Sequence, residues 1–347
     1  MYYVAILRPE LIDKNFEDIY ELDGALKSLD GTENKSKLGA NALLPISLAF
    51  AKAKANSRNQ KFYEYLAEVS GTEKINIPIP MFNIINGGKH AKKSADFQEF
   101  MIVPKGIDGF PEQLRAASEI FHTLGKILDS RGYATTVGDE GGYGLPEGHD
   151  NKDALDLILQ AIDEAGYKQS DEISIALDVA ASELYSDGSY GLKSEGRDLS
   201  SKEIIDYYKR LTSEYPIVSI EDGLDEADWL NWSNLTGVIG ESTMTVGDDL
   251  LVTNTKFIQK AIDEKACNAV LIKPNQIGTL SETIEAVKLA KKAGFNTILS
   301  HRSGETEDTS IAHIATGLGV PYIKSGSLSR SERLAKYNEL LRINETF

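Results

Sequence analysis

After Gly71 the chain settles into one rhythm, in which short β-rich runs alternate with longer amphipathic ones. The runs are IPIPMFNIING, FQEFMIVP, ATTVGDEGG, ISIALDVAASE, PIVSIEDG, MTVGDDL, NAVLIKPN, NTILSHRSG and PYIKSGS. Helix starts are legible between the later ones. Ser200 and Glu203 form a capping-box pair ahead of Ile204, Ile205, Tyr208 and Leu211. Thr279 and Glu282 form another ahead of Ile284, Val287 and Ala290. Such alternation joins parallel strands by right-handed crossovers. So many units in one span favour a closed barrel over an open sheet. The expected fold class is α/β, with a β/α barrel over residues 73–347. Residues 1–72 read as a separate, mostly helical domain, with Phe16, Ile19, Leu22 and Leu26 at helical spacing and Pro45 inside a second, Ala-rich helix.

Most of the β-rich runs end in charge. ATTVGDE ends at Asp139 and Glu140, ISIALD at Asp178, PIVSIED at Glu221 and Asp222, and MTVGDD at Asp248 and Asp249. Lys273, His301 with Arg302, and Lys324 follow. From Glu221 to Lys324 the steps are roughly one strand–helix unit each. In a parallel barrel all strand C-termini share one face, so these side chains converge on one mouth. One charged strand end is ordinarily a solvated loop start; a recurring series is not.

The series also sorts by chemistry. Asp178, Glu221 and Asp248 are hard oxygen donors gathered without Cys or His, which suits Mg²⁺ better than zinc. Lys273, His301 with Arg302, and Lys324 supply cations, so the mouth suits an anionic substrate bridged by Mg²⁺. Lys273 comes straight off an apolar run in LIKPNQIGT. With Glu140 on an earlier strand as acid and Lys273 as base, the site suits removal of a carbon-bound proton and loss of a hydroxyl. Divalent cations held in the mouth, with Lys324 nearby, are expected to depress the pKa of Lys273.

Composition excludes several classes. Lys plus Arg is 37 against 53 Asp plus Glu, a formal charge of -16, which argues against a nucleic-acid partner. Most of that charge reads as solvated acidic faces. A hydrophobic content of 41% suffices for a sizeable core. Cys267 is the sole cysteine and reads as a buried structural thiol. No apolar run approaches the ~20 residues of a membrane helix, and the start carries no signal-peptide pattern. A cytoplasmic location is expected. His122, His149 and His313 read as packing or surface residues.

The segments LDGTENKSKLGANA, NIINGGKH, QEFMIVP, VGDEGG, IALDVAASE, YPIVSIEDG, VGDDLLVTN, LIKPNQIGTL, SHRSGETEDT and IKSGSLSRSERLAKYNELLRI closely resemble enolases, from about residue 10 to the C-terminus. The resemblance implies Mg²⁺-dependent, reversible dehydration of 2-phosphoglycerate to phosphoenolpyruvate in glycolysis and gluconeogenesis. It implies Lys273 as the base and Glu140 as the acid, with Glu99 assisting, and Asp178, Glu221 and Asp248 as Mg²⁺ ligands. It places His90, Gln98, His301, Arg302, Ser303 and Lys324 against the substrate, with Arg302 and Ser303 at the phosphate. It also implies a homo-oligomer, and extends the expected location to the cell surface or secretion.

Enolases typically begin with a β-rich segment carrying a DSRGNPT-like strand and an SGASTG-like lid loop, and neither occurs in this sequence. On that comparison residues 1–72 are a shortened remnant of the N-terminal domain. Its helices are expected to lack a packing partner, and turnover to be impaired. The alternative reading is an impaired paralogue serving as a binding protein, for example at a cell surface.

Overall fold

A computed structural model describes residues 6–90 and 94–347. Eight strands form a closed ring: β1 (Ile79–Asn86), β2 (Glu99–Val103), β3 (Ser174–Asp178), β4 (Ile217–Glu221), β5 (Met244–Gly247), β6 (Ala269–Ile272), β7 (Asn296–Ser300) and β8 (Tyr322–Lys324). They pair in chain order, and β8 closes on β1 through Ile79↔Tyr322 and Met81↔Lys324. The expected β/α barrel is therefore present.

Two expectations about it need correction. First, the strands are not all parallel: β2 runs antiparallel to both β1 and β3. Among the described residues, the β1–β2 connection holds a 3₁₀ turn, Gly88–His90, and no crossover helix, so the chain returns alongside itself. Second, ATTVGDEGG is not a barrel strand. It links two consecutive helices, Phe110–Ser130 and Asn151–Glu164. Its segment turns back at Asp139–Gly142, and the short strand after it, Tyr143–Gly144, pairs with the end of β1. The glycines make that turn possible. Gly141 sits at φ +88, and a Cβ on Gly142 would lie 2.9 Å from the carbonyl oxygen of Asn83. Glu140 thus stands on a turn rather than a strand end.

The period-2 alternation of the strands sorts the apolar residues into two cores. Met81, Met101, Val103, Ala176, Met244, Val246, Ala269, Leu271 and Ile298 form one cluster, the filling of the barrel. Phe100, Ile102, Ile175, Leu177, Val270 and Ile272, at intervening positions, join the outer core beneath the helices. Extending the inward series by two residues reaches Asp178 after Ala176, Asp248 after Val246, and Lys273 after Leu271. On the reversed β2 the same parity runs backwards from Met101 to Glu99. Lys324 follows Tyr322, which packs on the inner cluster.

The N-terminal helices do have a packing partner. Helices α1 (Ile19–Asp30), α2 (Ala40–Ser57) and α3 (Phe62–Ser70) lie against the barrel's outer layer. α1 is set by the Asp18 side chain, which accepts from the N–H of Glu21, and by Gly31 in the left-handed region at its end. Leu22, Leu26, Leu43, Ala51, Tyr65 and Leu66 are buried in the same outer core as the barrel helices. Polar contacts fix the docking onto helix Leu280–Lys292. The N–H of Ser281 donates to Asp23 (2.8 Å), the N–H of Leu280 donates to Ser47 Oγ (3.0 Å), and Lys35 pairs with Glu282 at 2.6 Å. Leu26→Ala is accordingly expected to cost about 2–5 kcal/mol in urea unfolding. Hydrogen exchange in α1–α3 should be as slow as in the barrel's outer helices. Fast, independent exchange in α1–α3 would show that this docking is not retained in solution.

Candidate active site

The mouth of the barrel is built around Lys324, which is 3% exposed. Its Nζ lies 2.9 Å from Asp178 Oδ2, 2.9 Å from Glu221 Oε2 and 3.2 Å from Glu99 Oε2. Strand register sets the row, because Glu99 pairs with Asp178 and Asp178 with Glu221 across β2, β3 and β4. The reversal of β2 is what brings Glu99 to this face. Gln98 precedes it, with its amide 3.5 Å from Asp178 Oδ2.

Burial, followed by neighbouring negative charge, pushes the carboxyls of Glu99, Glu221 and Asp222 well above the usual range. Burial works against charge on Lys324, but Asp178, Glu221, Glu99 and Glu140 outweigh it and hold the ammonium protonated.

Asp248 extends the row on β5 and bonds to the ammonium of Lys273. Lys273 is largely buried, with its side chain 15% exposed. The expected depression of Lys273 rests on divalent cations in the mouth; the protein groups alone act in the opposite sense. Burial lowers its pKa, but Asp248 and Glu221 outweigh burial and raise it.

The acid candidate lies near β1. Glu140 is buried, accepts from the Asn83 amide at 3.1 Å and from Ser303 Oγ at 3.0 Å, and has His301 Nε2 at 3.7 Å. His301 was counted among the cations, and this too is corrected. It is buried and held down to about 3, by burial first and then by Arg333, Lys324 and Lys273, against the pull of Glu140. It is therefore neutral. Arg302 is exposed at the rim and donates to Asn275 Oδ1 at 3.0 Å. His90 closes its 3₁₀ turn, and its side chain lies outside the described residues. The structure thus gathers Glu99, Asp178, Glu221, Asp248, Lys273, His301, Ser303, Lys324, Gln98 and Glu140, and leaves Arg302 at the edge.

Three further residues hold the site together, and none has a role in the sequence reading. Asp222 is buried at φ 42, a strained backbone for a non-glycine residue. Its carboxylate accepts the N–H groups of Asp248 and Asp249, each at 2.9 Å, and so orients the end of β5. Its place in IED beside Glu221 was the available signal. Asn83 steadies Glu140, and only its inward pairing on β1 reveals it. Arg333, in the C-terminal helix Ser331–Asn344, bonds to His301. Helical spacing in SERLAKY gave no hint of that reach.

The donor set fits a divalent cation. Oxygens of Asp222, Asp248 and Asp249 lie within 4.8 Å of one another. Both oxygens of Asp222, however, already accept backbone N–H groups, so it is poorly free to ligate. Asp178 and Glu221 converge on one ammonium, as they would on a cation, with Asp248 next along the ring. That makes Asp178, Glu221 and Asp248 the better set.

A pH signature follows. The folded chain holds protons on Glu99 and Glu221 more tightly than the unfolded chain. Their contribution to stability is therefore full below the ordinary glutamate pKa of ~4.3 and is lost as pH rises through the raised values. A cation competes with those protons at low pH and not at high pH. Mg²⁺ at ~100 times its Kd is expected to stabilise the fold by about 2.7 kcal/mol at pH 8 and by clearly less at pH 5, read by thermal unfolding. Asp248→Ala should abolish the difference. A shift equal at both pH values, or intact in Asp248→Ala, would contradict the assignment.

Comparison with known families agrees with this architecture. Residues 74–347 match the family described as enolase, C-terminal TIM barrel domain. Residues 3–66 match enolase, N-terminal domain. The matches span the barrel, all of its mouth residues, α1, α2 and the start of α3, and the chain belongs to the enolase family.

Proposed function

We propose that the chain catalyses the Mg²⁺-dependent, reversible dehydration of 2-phosphoglycerate to phosphoenolpyruvate. The observation that carries this reading is the arrangement across the mouth. Lys273, just past the end of β6, and Glu99 on β2 stand on opposite sides of the ring, with the Asp178–Glu221 row and Lys324 in the same mouth and Glu140 beside β1. A base and acids on opposite sides of a bound molecule are what an elimination needs.

Asp178, Glu221 and Asp248 would hold Mg²⁺. Bound there, the ion supplies positive charge for the substrate carboxylate as it becomes a more negative enolate, and takes up the carboxylates that raise Lys273. Lys273 accepts the proton from C2, and the C–H electrons pass into the enolate. Glu140 then gives its proton to the C3 hydroxyl, which leaves as water as the double bond forms. Glu99 assists; its raised pKa keeps a proton available beside Glu140. Lys324 keeps a fixed positive charge in the mouth. Ser303 and rim-exposed Arg302 are suited to the phosphate, and His90, Gln98 and His301 to the remaining polar groups.

The two half-reactions separate this reading from a merely anion-binding barrel. Lys273→Ala should lose both phosphoenolpyruvate formation and exchange of the C2 proton with solvent deuterium, falling by at least ~10²-fold. Glu140→Gln should retain C2 exchange while dehydration falls by a similar factor. Persistent exchange in Lys273→Ala, in protein freed of host enzyme, would name the wrong base. Equal loss of both steps in Glu140→Gln would remove its assignment as the acid.

A further inference from the structure

Arg333 is 1% exposed, and its guanidinium gathers two loops of the mouth. Nη1 donates to His301 Nδ1 and to the carbonyl of Arg302 at 2.8 Å. Nη2 donates to the carbonyls of Ser303 at 2.8 Å and Asp139 at 2.9 Å. Glu332 Oε1 lies 3.6 Å from Nε. The fold clears a path for this side chain. A Cβ on Gly326 would lie 2.8 Å from Arg333 Cδ and 2.7 Å from the carbonyl oxygen of Glu140. The same turn is held from nearby by the N–H of Ser327, which donates to Glu140 O, and by Ser329 Oγ, which donates to Gly141 O.

A guanidinium has only donors and does not lose its proton in proteins. An imidazole nitrogen that meets it must therefore be an acceptor, so His301 Nδ1 carries no proton. In the neutral ring the proton then sits on Nε2, the atom 3.7 Å from Glu140 Oε1. Protonating Nδ1 would set N–H against N–H in a buried site. We propose that Arg333 is a positioning residue, which fixes His301 as the neutral Nε2–H tautomer and ties the Glu140 turn to the His301–Ser303 loop. The charged groups facing the ring are Glu140, Arg333, Lys324 and Lys273, and burial with the three cations keeps it unprotonated against Glu140.

The geometric part of the proposal is independent of the reaction; its effect on turnover rests on the dehydratase reading. The direct test is nitrogen NMR of the whole chain labelled at histidine, with the His301 signals identified by their loss in His301→Gln. His301 should keep the neutral Nε2–H pattern from pH 8 to pH 5. An Nδ1–H pattern, or an imidazolium signal growing in as pH falls through ~6.5, would overturn the proposal without any Arg333 variant. In folded Arg333→Ala, His301 should titrate closer to the ordinary range and kcat should fall about 10–100-fold with a smaller change in KM. Arg333→Lys should not restore it, because one ammonium cannot meet these four acceptors in a plane, whereas added methylguanidinium should. Unchanged His301 signals and kcat in folded Arg333→Ala would refute the positioning role. The expected tautomer in a chain without dehydratase activity would refute the proposed reaction alone.

Discussion

The ammonium of Lys324 has left water and stands among the carboxyls of Glu99, Asp178 and Glu221, which come from three neighbouring strands. Buried charges of this kind are costly unless paired, and removing one partner of such a group typically costs about 3–5 kcal/mol. Here the pairing is uneven. Glu99, Asp178, Glu221 and Asp248 face Lys324 and Lys273, and burial, followed by neighbouring negative charge, raises the pKa of Glu99, Glu221 and Asp222. The barrel makes this grouping possible because its packed filling of Met81, Met101, Met244, Leu271 and their neighbours supports the mouth from below and excludes water.

Around that centre the two ends of the site differ in how they are held. Lys273 and Asp248 sit at strand ends whose direction is dictated by parity, with Asp222 fixing the backbone of Asp248. Glu140 sits on a turn and depends on side chains from elsewhere: Asn83 on β1, Ser303 after β7, and Arg333 through Asp139. The proposed acid is thus placed by tertiary contacts and the proposed base by secondary structure.

That difference explains what could be read from the sequence. Strand ends announced Asp178, Glu221, Asp248, Lys273 and Lys324, because a two-residue alternation and a repeating unit are one-dimensional signals. Glu99 was reached only through family resemblance, since it begins its strand and becomes a mouth residue only because β2 is reversed. The β-rich residues before Glu140 suggest a strand end, but Gly141, at φ +88, and Gly142 turn the chain there instead. The charge state of His301 departs from the expectation because it depends on which groups stand within a few ångströms, and sequence order does not show that. The docking of α1–α3 was likewise invisible, because Asp23, Ser47 and Lys35 find their partners on helix Leu280–Lys292, far along the chain.

In the proposed reaction the carboxylate row is a divalent-cation centre, with Asp178, Glu221 and Asp248 as its ligands. Anomalous diffraction from crystals of the chain grown with Mn²⁺ tests it most directly, since Mn²⁺ shares the oxygen preference of Mg²⁺ and can be located unambiguously. The account predicts one strong peak bonded to all three side chains, with Lys273 released from Asp248. A peak on Asp222, Asp248 and Asp249 instead, or an undisturbed Lys273–Asp248 pair with no bound metal, would contradict it.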